Sequence, residues 1–154
     1  MGNACASEVV GPETIKLEYF KAHGRAEPIR AMLHHANVHY VDQGISFPAW
    51  FMRKGSGNTG EFGALPIVYY QGKTMQQTGA ILRALGVERG YYNPRDWQQA
   101  GKIDWIVDTW GELLTANALI VLSVASSATK QTRFEEVLNN KWKPFLAQCE
   151  KQLA

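Results

Sequence analysis

The chain has 154 residues, enough for one compact unit or for one small domain followed by part of a second, and its apolar fraction of 45 % is ordinary for a globular protein. A scattered formal charge of +2 excludes a strongly basic nucleic-acid-binding face. Cys5 and Cys149 stand far apart without metal-ligand spacing, which argues against a disulfide framework or a zinc site and fits a reducing compartment. No apolar run matches a spanning helix and no secretory core follows Met1, so the expectation is a cytoplasmic protein unless its first residues are acylated.

Residues 1–13 read as a tail. With Met1 removed, Gly2 could accept myristate and Cys5 palmitate, the two signals that stable membrane attachment requires. Ala6 departs from the preferred pattern there, and a flexible, merely acetylated tail is the plainer reading.

Residues 14–20 alternate branched and aromatic side chains with polar ones and predict a strand. A helix is expected over 24–37, with Pro28 in its first turn, where a missing N–H costs nothing, and Ile29, Met32 and Leu33 on its apolar face. A second strand over 39–45 completes a β-α-β unit. A short helical turn over 50–54 leads into an irregular glycine-rich stretch, 55–60. Residues 66–70 and 73–76 flank Gln71-Gly72 as a β-hairpin. Thr78 then caps a helix running to about Leu85 and ended by Gly86. After a linker at 87–95, a long helix is expected over 96–123 and a second amphipathic one over 130–153, kinked at Pro144.

The strand–turn–helix around Tyr19-Phe20-Lys21-Ala22-His23-Gly24-Arg25-Ala26-Glu27-Pro28-Ile29-Arg30 is where a thioredoxin-like domain would carry a C-x-x-C pair, and here a tyrosine stands instead. This run resembles the start of a glutathione transferase, close to the sigma-like, tyrosine-using classes. The resemblance implies an α/β thioredoxin-like domain, β-α-β-β-β-α over 14–86, followed by an all-α domain of which 96–154 would be a shortened part. Such transferases carry further helices, whereas this chain stops at Ala154.

The same resemblance assigns roles. Tyr19 would donate its hydroxyl to the thiol sulfur of glutathione, with Arg25 adding positive charge. A cis Leu65–Pro66 bond would present the Leu65 N–H and C=O to the tripeptide backbone, as an added strand would. Gln77 and Thr78, at a helix start, would hold the γ-glutamyl carboxylate. Trp50 and Lys54, one helical turn apart, match contacts to the glycyl carboxylate. Glu112 would reach across a dimer to the amino group of the partner's tripeptide. Each has a plainer reading: a strand tyrosine, a trans turn proline, a helix cap, a surface tryptophan, solvated charges. Ala64 departs from the family, which often has a polar residue there.

No cofactor is implied beyond glutathione as co-substrate, and no metal; His34-His35, being adjacent, cannot share one helical face. Two functions compete: conjugation of the glutathione thiolate to an electrophile, or a non-catalytic subunit of a larger intracellular assembly. The apolar stripes of the last two helices call for a covering partner, either a second copy or another protein.

Overall fold

The computed structural model describes residues 13–153, so Gly2 and Cys5 lie outside the described residues. The chain divides into two compact units, one up to Leu85 and one from Gly86 onward.

The first unit is built on a four-stranded sheet of order β2-β1-β3-β4. Strand β1 (Ile15–Phe20) pairs in parallel with β2 (Tyr40–Ile45) and antiparallel with β3 (Ile67–Tyr70), which in turn pairs antiparallel with β4 (Lys73–Gln76). Helix α1 (Glu27–His35) makes the crossover between β1 and β2, α2 (Phe47–Gly55) lies between β2 and β3, and α3 (Thr78–Glu88) follows β4. Together with the helices this mixed sheet forms a thioredoxin-like domain, and among the described residues every element after β4 is helical.

Strand alternation decides what each face buries. Ile15, Leu17 and Tyr19 join Ile29 and Leu33 of α1, Ile81 and Leu85 of α3, and Val68 in the main core. The other face is smaller: Ile45, Trp50 and Ile67, with Phe20 and Leu65 packed against them. Trp50 thus ties α2 to the sheet.

Several boundaries differ from the sequence reading, each for a local reason. The helix expected over 24–37 opens with a 3-10 turn at Gly24–Ala26, and α1 proper begins at Glu27 with Pro28 in its first turn. The turn expected over 50–54 is a full helix, started by Ser46, whose hydroxyl accepts from the Ala49 N–H at 3.4 Å, with Pro48 just inside. Helix α3 runs three residues past Leu85. Gly86 lies within it, where a Cβ would come within 3.1 Å of the Tyr92 Cβ, so glycine serves close packing there. The helix ends instead at Gly90, at φ +78°, with Tyr91 N–H bonded to Gly86 O and Gly90 N–H to Val87 O. Asn37 and Gly57 close α1 and α2 by the same pair of bonds. The hairpin turn matches expectation: Gln71 and Gly72 both have positive φ.

In the second unit, Asp96 caps α4 (Trp97–Leu122) by accepting from the Gln99 N–H at 3.1 Å. By length and composition α4 is apolar enough to cross a membrane, with a mean hydropathy of 1.2 over its most apolar stretch, which corrects the expectation that no run qualifies. The helix expected over 130–153 starts earlier and is split: α5 (Ser127–Val137) and α6 (Lys143–Leu153) flank a π turn at Leu138–Trp142. Pro144 lacks an N–H and crowds the carbonyl four residues back, so the backbone widens before it and Lys143 N–H reaches Leu138 O. Pro144 was expected to kink the helix; it sits just beyond a local expansion of the ladder.

Candidate functional site

Tyr19 sits near the C-terminal end of β1, beside Gly44 of β2, and is 9 % exposed. Its hydroxyl oxygen accepts a hydrogen bond from the Arg25 backbone N–H at 3.1 Å. The chain returns to Tyr19 so tightly because Gly24 adopts φ +76°, and a Cβ there would lie 3.0 Å from the phenol oxygen. An accepted hydrogen bond polarises the O–H and leaves its proton available to donate elsewhere.

The Arg25 carbonyl makes the complementary link: the Thr78 hydroxyl donates to it at 2.9 Å. One residue thereby joins the end of β1 to the start of α3. Sequence reasoning assigned Arg25 its side-chain charge; the structure adds two links through its main-chain N–H and C=O. Thr78 is expected from the sequence to cap α3. It is the first helical residue, and Gln77 supplies the carbonyl that accepts from the Ile81 N–H at 3.0 Å. The Thr78 N–H stands in the first turn, among amides that lack an intrahelical partner and face the positive end of the dipole. Gln77 is exposed and held at φ +69°.

A second cation stands beside the phenol. The Arg30 guanidinium lies 5.9 Å from the Tyr19 ring centre. It is fixed by Asp42 at 2.8 Å, Glu27 at 3.1 Å and the Ala22 carbonyl at 3.0 Å. Burial opposes the Arg30 charge, but its hydrogen bonds to Asp42 and Glu27 outweigh burial and raise its pKa.

The Leu65–Pro66 peptide is cis, and Pro66 is among the fully buried residues. Leu65 packs against the cluster that contains Trp50, so these two candidates share one small core. Trp50 is 5 % exposed, a buried ring rather than a surface one. The Lys54 ammonium lies 6.0 Å from its centre and the Arg53 guanidinium 5.5 Å. Tyr19, Arg25, Trp50, Lys54, Leu65, Pro66, Gln77 and Thr78 all belong to the first unit, whereas Glu112 is an exposed residue of α4 in the second. Among the described residues no group of three His, Cys, Asp or Glu could hold a metal ion.

Two constellations escaped sequence reasoning. Glu18, 4 % exposed on β1, pairs with Arg53 of α2 at 2.7 Å and accepts from the Tyr69 hydroxyl of β3 at 3.2 Å. Burial pushes the Tyr69 phenol above its usual pKa and the Glu18 charge adds to this, while Arg53 opposes it. A carboxylate in mid-strand is the signal for such a pair, although nothing local names its partner. The second is Gln76, whose side chain is enclosed by the loop before Leu65.

No family model matches the chain. It is 36 % identical over 99 residues to a probable glutathione S-transferase 6 of Caenorhabditis elegans, covering 64 % of this chain and 46 % of that one. It is 32 % identical over 126 residues to a hematopoietic prostaglandin D synthase of Gallus gallus, covering 82 % and 60 %. Among solved structures, the prostaglandin synthase D of Nilaparvata lugens superposes with a TM-score of 0.68 at 31 % identity, covering 83 % of this chain and 62 % of that one. The chain spans about half the length of the curated relatives it matches, 46 % and 60 % of these two. Sequence relatives and structural neighbours agree, and the chain belongs to the glutathione S-transferase family.

Proposed function

We propose that the first unit binds glutathione and that Tyr19 activates its thiol for transfer to an electrophile. The observation that carries this reading is the Arg25 N–H donated to the Tyr19 oxygen at 3.1 Å. A free thiol, with a pKa near about 8.5, is mostly protonated at neutral pH, and only the thiolate is a strong nucleophile. A phenol O–H aimed at sulfur stabilises that anion, and the thiol proton leaves to solvent. The thiolate electron pair then forms a C–S bond with the electrophile, while the displaced group departs with its own pair, or the adjacent carbon takes a proton after addition.

The rest of the site would hold the tripeptide. The Leu65 main chain offers strand-like pairing, the Thr78 N–H and Gln77 suit the γ-glutamyl carboxylate, and Lys54 beside Trp50 suits the glycyl carboxylate. Glu112 would serve the tripeptide of a second copy, so the active form on this reading is a homodimer in the glutathione-rich cytoplasm. The exposed Leu119, Val121 and Leu122 of α4 support an association between copies.

Tyr19→Phe separates binding from chemistry. The ring still fills its place, so glutathione affinity should stay within about twofold, while conjugation to a generic aromatic electrophile should fall by about 10- to 1000-fold. Unaltered turnover would show that another group activates the thiol. A parent protein that binds glutathione but never turns over would leave a binding subunit without catalysis.

A further inference from the structure

The connection between α2 and β3 has no regular structure across residues 56–66, yet it encloses a buried side chain. Gln76, the last residue of β4, is 7 % exposed, and its amide fills the inside of this loop. Its Nε2 donates to the Thr59 carbonyl at 3.0 Å and to the Ala64 carbonyl at 2.7 Å, and its Oε1 accepts from the Phe62 N–H at 3.1 Å. Both amide hydrogens are committed, and the opposite orientation of the amide would set its oxygen against two carbonyls. The loop is shaped to this side chain: Gly60 has φ +71°, and a Cβ there would collide with Oε1.

The Ala64 contact is the consequential one. The Ala64 C=O and the Leu65 N–H belong to a single peptide unit, which is planar and trans, so the two groups point in opposite directions. Holding the carbonyl toward Gln76 therefore aims the Leu65 N–H away from it. The residue after Gln76 is Gln77, so one side chain couples both main-chain segments assigned to glutathione. We propose that Gln76 is a positioning residue that sets glutathione affinity by orienting the Ala64–Leu65 peptide without touching the tripeptide. This rests on the glutathione reading above.

Calorimetric titration of the full chain with glutathione tests it, alongside thermal melting and steady-state kinetics. Gln76→Met keeps length and bulk but removes all three hydrogen bonds. The dissociation constant and KM for glutathione should rise about tenfold, while kcat at saturating glutathione stays within about twofold, since Tyr19 is untouched. Lower melting with unchanged affinity would reduce Gln76 to a loop staple and overturn the proposal. If Gln76→Met does not fold, Gly60→Ala disturbs the same amide from the loop side and should raise the dissociation constant in the same direction; unchanged affinity there overturns the proposal equally. A parent that binds no glutathione removes the underlying reading and this inference with it. A parent that binds while the variants match it removes this inference alone.

Discussion

Leu17, Ile29, Leu33, Ile67 and Ile81 of the first unit are fully buried, and the buried polar residues Glu18, Thr59 and Gln76 all lie in that unit, engaged in hydrogen bonds. Among the described residues of the second unit, Ala100, Leu113, Ile120 and Phe145 are the buried apolar ones, while Trp97, Leu119, Leu122 and Val124 are more than half exposed, as Phe47, Phe51, Met52 and Phe62 are on the loops and α2 of the first. A sheet covered by helices closes over its own polar groups and derives its stability from burial. Helices with unburied apolar residues depend more on capping and local propensity, which in this chain means Asp96 on α4 and Ser126 on α5. The chemistry proposed for Tyr19 and its neighbours lies in the first half, and of the proposed site residues only Glu112 stands in the second.

The sharpest way to break this contrast is the same truncation in both halves. Leu33→Ala in the first unit should cost about 2–5 kcal/mol by chemical denaturation, the range for deleting a fully buried leucine. Leu122→Ala, at 79 % exposure, should change stability by no more than about 0.5 kcal/mol. Comparable losses at the two sites would show that the second unit buries its surface after all.

Next in size is Arg53→Met, which strands the Glu18 carboxylate beneath α2. Breaking such a pair should cost about 2–4 kcal/mol, tempered by the partial exposure of Arg53, and Glu18→Leu combined with Arg53→Met should recover much of it. A double variant as unstable as the single one would mean that the charges themselves hold α2. Because the Tyr69 phenol is raised by burial, its contribution is fully present below pH 10 and should fade as the pH climbs through its elevated value.

A smaller loss, about 1 kcal/mol, is expected for Thr78→Ala, which removes the hydroxyl from the Arg25 carbonyl. Stability measured beside glutathione retention should show both falling, since the Tyr19 loop and the α3 start are joined there. Smallest is acid titration at Glu27. Burial raises its carboxyl, but hydrogen bonds from His23 and Arg30 outweigh that and hold it below the usual value of 4.5. Its stabilisation is present above that value and drains as the pH falls through the lowered one. The side chain is largely exposed, so Glu27→Gln should flatten only the outer edge of the acid unfolding curve.

How far the chain could be read beforehand follows the range of each interaction. Alternation at Ile15, Leu17 and Tyr19, proline at the start of α1 and Gln71-Gly72 in the hairpin are local signals, and the backbone obeys them. Gly86 misled, because a glycine demanded by the packing of Tyr92 resembles one that ends a helix until both are seen together. The Glu18–Arg53–Tyr69 cluster joins residues 35 and 51 positions apart, and no spacing rule connects them. Family resemblance brought Tyr19, Leu65 and Thr78 to notice. It was silent on Gln76, whose partners are main-chain groups that carry no residue-specific signature.

Gln77 offers a practical consequence. A side chain at φ +69° is held where glycine would rest freely, so Gln77→Gly should relax the backbone even as it deletes an amide from the site. Sequences that align with this chain can therefore be sorted at a single position. One that keeps glutamine there accepts a conformational penalty, which on the glutathione reading proposed above is offset by the bound tripeptide. One that has drifted to glycine has taken the easier backbone, and it should be assayed first as a scaffold that has stopped binding.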